Sequence, residues 1–178
     1  LWLAMVRNAI QAAEGKVDVV FMGDDLSSQE NPLFSPAIYR ELIKPRQKNQ
    51  IEALKSEFDT KIMYHSCGAI HPFIGDIIEI GADCLNPIQV NARDMDPETL
   101  KQEFGDRIAF WGGVDTQEVL PFGTADEVRA EAQRMIDILG RGGGYVFNSV
   151  HCIEPEVPPE NVVAMFEAST AHSYAKSG

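Results

Sequence analysis

Five short apolar runs recur along this chain, and each leads through a turn into a stretch with helical spacing. They are Val17–Met22, Lys61–Tyr64, Asp83–Leu85, Ile108–Trp111 and Tyr145–Asn148. None alternates cleanly between apolar and polar residues, which predicts parallel strands covered on both faces. No Asn-Gly or Asp-Gly turn joins two of them, so an antiparallel meander is disfavoured. The intervening segments carry helix punctuation. Thr124 with Glu127 forms a capping box ahead of Val128, Ala132, Met135, Ile136 and Leu139, with Gly140 as the stop. Asp96-Pro97-Glu98 opens a helix with Leu100 and Phe104, and Pro158-Pro159-Glu160 opens one with Val162, Val163 and Phe166 on its apolar stripe. His71–Ile80 predicts another helix. Pro36–Phe58 predicts a longer one, with Ile38, Leu42, Ile51, Leu54 and Phe58 inward and a kink at Pro45.

Strands alternating with helices leave an open doubly wound sheet or a (β/α)8 TIM-type barrel. No glycine-rich fingerprint follows the first strand, and the spacing of the units suits the barrel. A full barrel takes about 250 residues, whereas this chain has 178. The expectation is α/β, a barrel with only about the last five βα units present, as one domain over residues 1–178. The chain begins with Leu1, and an amphipathic pattern starts at that residue, so we expect it to be cut from something longer.

Composition narrows the partners. The formal charge is −12, which speaks against binding nucleic acid or an anionic membrane. No apolar run approaches the ~20 residues of a membrane span. Cys67, Cys84 and Cys152 are too sparse for a disulfide framework, so a reducing, cytoplasmic setting is expected. Cys84 lies inside an apolar run and reads as core. An open barrel exposes two strand edges and apolar surface, so self-association is expected as well.

A barrel keeps its chemistry on the loops that follow the strands. Those loops read Gly23-Asp24-Asp25, His65-Ser66-Cys67-Gly68, Asn86-Pro87-Ile88-Gln89, Gly112-Gly113-Val114-Asp115 and Ser149-Val150-His151-Cys152. The loops at the opposite rim hold only turn residues. In extended chain, His65 and Cys67 point to the same face about 6.5 Å apart. That is within reach of one zinc ion bound at about 2.0–2.3 Å. A third ligand must come from another strand end, where Cys152 or His151 is available, leaving a fourth position open as in catalytic sites. Plainer readings stand beside these: Asp24 and Asp25 as loop caps, Asp115 as a helix-entry cap, Asn86 as strand-end hydrogen bonding. His71 reads as a surface or capping residue, and His172 is assigned nothing.

The first four of these strings, together with Ser35-Pro36-Ala37-Ile38-Tyr39, Ile43-Lys44-Pro45, Phe110-Trp111 and Pro158-Pro159-Glu160-Asn161, resemble the uroporphyrinogen decarboxylase superfamily in order from Val17 to Ala168. The resemblance implies a (β/α)8 barrel and one of two activities. One branch decarboxylates tetrapyrroles such as uroporphyrinogen without a cofactor. The other uses zinc, held by His-x-Cys and a distant Cys, to activate a small-molecule thiol that takes a methyl group from a corrinoid. His65-Ser66-Cys67 matches the second branch. Counting back from Glu160, the distant ligand falls on His151 and Cys152 lies one residue on, so either supplies it.

The reading is therefore a zinc-dependent methyltransferase with a corrinoid methyl donor and, as a further partner, a corrinoid protein. Its metal set is His65, Cys67 and Cys152. Asp24, Asp115 and His151 are expected as catalytic residues, and Asp25, Asn86, Gln89 and Gly113 as substrate-binding. The alternatives are tetrapyrrole decarboxylation and, from another class, an inactive partial barrel or interaction module.

Overall fold

The computed structural model of the protein describes residues 1–171; His172, to which the sequence assigns nothing, lies outside them. Among the described residues the five expected strands form one parallel sheet: β1 (Val19–Gly23), β2 (Lys61–His65), β3 (Cys84–Asn86), β4 (Ala109–Trp111) and β5 (Tyr145–Val146). Their spatial order is the chain order, β1-β2-β3-β4-β5. A doubly wound sheet reverses its strand order partway to put helices on both faces. Without a reversal, right-handed crossovers leave every helix on one side, which is the wall of a TIM-type barrel.

The register shows which side. Val20, Met22, Ile62, Tyr64, Leu85 and Phe110 share one face and are buried. The opposite face carries Val19, Phe21, Met63, His65, Asn86, Trp111 and Val146, of which Val19, Phe21 and Val146 are exposed. The expected covering is thus complete on one face and partial on the other, where Cys84 is buried and Met63, His65, Asn86 and Trp111 are half-buried. In a closed barrel the inner face is filled by strands across the axis, and five strands do not enclose it.

Helix α1 (Trp2–Ala12) packs on α3 (Lys44–Lys55), while α7 (Ala125–Leu139) packs on α5 (Pro97–Phe104) and α8 (Pro159–Ala171). Asp96 caps α5 through a 2.9 Å bond from the Thr99 amide, and Thr124 with Glu127 closes both halves of the capping box of α7. His71 opens α4 (His71–Glu79) and bonds Glu103 at 2.9 Å.

Two expectations about helix faces change. In the segment from Pro36, a short α2 (Pro36–Ile38) runs into a π-helical turn (Tyr39–Ile43) before α3, and the Lys44 amide bonds the Tyr39 carbonyl. A proline ring crowds the carbonyl four residues back, and the widened turn absorbs that crowding before Pro45 is reached. It also breaks the 3.6-residue period, so Tyr39 is buried whereas Ile38 and Leu42 are exposed. In α8 the buried residues are Asn161, Ala164, Met165 and Ala168, and Val163 and Phe166 face outward. Asn161 is buried because its amide donates to the carbonyls of Leu120 and Gly123, at 2.9 and 2.8 Å. Those carbonyls belong to α6 (Val119–Phe122) and its cap, a helix the apolar pattern does not announce.

Candidate metal centre

The pairing Gly23↔His65↔Asn86 runs straight across the C-terminal ends of β1, β2 and β3. Continuing it two residues sets Asp25 opposite Cys67, and the Cys67 amide donates to Asp25 Oδ1 at 3.2 Å. Close approach of β1 and β2 here depends on glycine: a Cβ on Gly23 would lie 2.7 Å from His65 Cβ and 2.6 Å from the His65 carbonyl oxygen.

Cys67 Sγ lies 3.6 Å from His65 Nε2. Ligands bound at about 2.0 Å (nitrogen) and 2.3 Å (sulfur) span a tetrahedral edge of about 3.5 Å. On the other side of the ring, His65 Nδ1 is 2.7 Å from Asn86 Oδ1. A carboxylate oxygen of Asp25, a ring nitrogen of His65 and Cys67 Sγ all lie within 4.8 Å of one another. That is the only such group of three or more among the described residues. Burial, and after it the Asp25 carboxylate, push the half-buried Cys67 thiol up. A cation between the two would reverse the second effect, because a metal ligand must be deprotonated. The donor set fits zinc.

The loops are pinned from behind. Gln89 Oε1 accepts the Gly68 amide at 2.8 Å, and the fully buried Ser66 hydroxyl accepts the Leu26 amide at 3.1 Å. Residues 26–33 fold back as a small hairpin, with Leu33 bonding Leu26 and the Ser28 carbonyl accepting the Ala69 amide at 2.8 Å. Gly68 runs directly beneath it at φ +88°, where a Cβ would lie 2.4 Å from the Ser28 carbonyl oxygen.

The other expected residues divide. Asp24 is turned toward the helices: Gln47 Nε2 donates to it at 2.7 Å and to Tyr64 at 2.9 Å, while Tyr39 donates to Gln47 Oε1 at 2.8 Å. Burial raises both tyrosines, so both hydroxyls stay protonated, Tyr39 donating to Gln47 and Tyr64 accepting from it. Asp115 is buried and accepts from the amides of Gln117, Glu118 and Val119 and from Asn91 Nδ2, which occupies its carboxylate as a helix-entry cap. Gly113 sits against Met135 and Leu139 of α7.

His151 and Cys152 are exposed, beyond the last pairing of the β5 segment at Val114↔Ser149. The His151 ring stands 6.4 Å from that of His65. Cys152 shares with Cys67, Gln89 and His151 the lining of a cleft of about 330 Å³, but the compact donor group holds Asp25 instead. The third ligand is expected at Cys152 or His151; the donor atoms that the structure brings within 4.8 Å of one another are those of Asp25, His65 and Cys67. The extended chain carries Asp25 inward in register with Cys67, whereas residues 151 and 152 follow a turn in which Ser149 Oγ bonds the His151 carbonyl at 2.8 Å. Gln47, Ser66 and Asn91 escape sequence reasoning altogether, since each acts through a contact distant along the chain.

Comparison with known proteins agrees with this architecture. A uroporphyrinogen decarboxylase from Pelodictyon phaeoclathratiforme is 30% identical over 135 residues, 72% of this chain and 36% of the relative. The methylcobamide:CoM methyltransferase MtaA of Methanosarcina barkeri is 25% identical over 169 residues, 93% of this chain and 45% of the relative. Among solved structures, a methyltransferase from Methanosarcina mazei superposes with a TM-score of 0.70 at 25% identity, over 89% of this chain and 43% of that one. The chain thus spans less than half the length of these relatives. The uroporphyrinogen decarboxylase (URO-D) family model matches residues 2–172, and the chain belongs to that family.

Proposed function

We propose that this chain carries the metal-binding part of a zinc-dependent methyltransferase that moves a methyl group from a corrinoid to a small thiol. The observation that carries the reading is the 3.6 Å spacing of Cys67 Sγ and His65 Nε2 with the far ring nitrogen already engaged by Asn86. His65, Cys67 and Asp25 would hold the zinc, with Cys152 or His151 as the alternative third ligand. Zinc bound there would supply the Lewis acidity that deprotonates a thiol while leaving it nucleophilic. Gln89 and Ser66 hold the His-x-Cys loop in place, and His151 flanks the cleft on the open side. Asp24 and Asp115, fixed by Gln47 and by backbone amides, support the loops around the cleft. The exposed face around Phe21 and the outer edges of β1 and β5 support self-association, or pairing with further strands.

The methyltransferase relative supports this branch, as does the lining of the cleft, which among the described residues includes Glu154 and no lysine or arginine. A substrate bearing several carboxylates calls for cationic partners. The similarity to uroporphyrinogen decarboxylases favours the second reading, cofactor-free decarboxylation, in which His151 would contact substrate.

Metal content, measured by mass spectrometry on protein purified without chelator, separates the two. About one zinc per chain is expected, and Cys67→Ser should lose it. Wild-type protein that takes up no zinc on reconstitution would remove the methyltransferase reading.

A further inference from the structure

We propose that Asn86 is a positioning residue that decides which nitrogen of His65 carries the proton. Neutral imidazole has one N–H and one lone pair, and the hydrogen bond made by one nitrogen sets the state of the other. His65 has one strand neighbour on each side in register. On β1 that neighbour is Gly23, which has no side chain to offer a partner. On β3 it is Asn86, whose Oδ1 lies 2.7 Å from His65 Nδ1. An amide oxygen only accepts, so Nδ1 must be the N–H donor and Nε2 the bare nitrogen. That bare nitrogen is the one 3.6 Å from Cys67 Sγ. With the proton on Nε2 instead, an N–H would point at the sulfur and neither atom pair could share a cation.

Asn86 is well placed for this task. Its carbonyl accepts the Ser66 amide at 2.8 Å, so the backbone that carries the side chain is locked into the same ladder as the His-x-Cys segment. Nearby rings bound the imidazole without competing for Nδ1, Phe21 at 5.5 Å and His151 at 6.4 Å between centroids.

The test combines two readouts. In the metal-free chain with nitrogen-15-labelled histidine, two-bond proton–nitrogen correlation at a pH where His65 is neutral reports its tautomer. We expect Nδ1–H in wild type, a shift toward Nε2–H in Asn86→Leu, and retention of Nδ1–H in Asn86→Asp, whose carboxylate also accepts. The second readout, zinc affinity, rests on the metal-centre reading. Asn86→Leu should weaken it roughly 10- to 100-fold, and Asn86→Asp should restore it to within a few-fold. Nε2–H in the wild type overturns the proposal, as does an Asn86→Leu variant with an unchanged tautomer. Should Asn86→Leu fail to fold, the wild-type and Asn86→Asp spectra still decide. A wild type with Nδ1–H that never binds zinc upholds the role of Asn86 and removes the metal-centre reading alone.

Discussion

Replacing Gly68 by alanine should be among the costliest single-methyl changes available in this fold. Two penalties combine. At φ +88° an L-residue pays about 1–2 kcal/mol for left-handed backbone. The new Cβ would also lie 2.4 Å from the Ser28 carbonyl oxygen and 2.7 Å from that of Ser27. That hairpin cannot simply retreat, because the same Ser28 oxygen accepts the Ala69 amide at 2.8 Å. Relief of such overpacking costs about 1–3 kcal/mol, giving about 2–5 kcal/mol for the pair. Gly142 supplies the control. It has φ +70° with nothing within 4 Å of its virtual Cβ, so Gly142→Ala should pay the first penalty alone, about 1–2 kcal/mol. Gly75, in α4 and also in open space, should gain about 0.5–1 kcal/mol as alanine because only helix entropy changes. Urea unfolding of the three variants beside wild type gives the ranking. If Gly68→Ala proves no more costly than Gly142→Ala, the hairpin 26–33 does not rest on the His-x-Cys loop, and the architecture of the site is wrong.

Other expectations follow from buried titratable groups. Burial by itself would raise the Asp76 carboxyl, but hydrogen bonds from Arg40 and Lys44 outweigh it and hold the group below its usual value. A depressed carboxyl contributes stability that is complete above its unfolded pKa of about 3.9 and lost as the pH falls through the folded value. Asp76→Asn should therefore cost about 1.5–3 kcal/mol at pH 7, and the gap to wild type in urea titrations should close in acid; a gap independent of pH refutes the ion pairs. Among the thiols, Cys152 is exposed, Cys67 half-buried, and Cys84 buried with its pKa pushed up to about 12 by that burial and, less, by Asp83. A thiol-specific reagent at pH 8 should consume Cys152 first and Cys84 only in denaturant. Early labelling of Cys84 would contradict its packing.

The sequence was most legible where a signal is local. The strands, the caps at Asp96 and Thr124, and the His65/Cys67 pair on one strand end depend on neighbours a few residues away, and all appear in the structure. What the sequence concealed depends on register. Asp24 and Asp25 are equivalent as letters, and only the pairing of Gly23 with His65 turns Asp25 toward Cys67 and leaves Asp24 to Gln47. The same holds for Cys152, whose place at the cleft follows from the turn beyond Ser149. Leu42 and Val163 fit their helical stripes as well as any core residue does. A π-helical turn re-aimed the first, and the second lies on a helix whose buried face is marked by the polar Asn161.

The strand order described above also bears on how the chain assembles. Since every strand pairs with the one just before it in the chain, no step of sheet formation has to wait for a distant segment to arrive. Each new strand closes only its own helix-containing loop, and loop-closure entropy grows slowly with length. Growth can therefore proceed rung by rung from either side of β3, as in repeat proteins whose stability is a sum of units and nearest-neighbour interfaces. The group of Asp25, His65 and Cys67, with Asn86 behind it, draws on three consecutive rungs, β1 to β3, so its members can come together without waiting for β4 or β5.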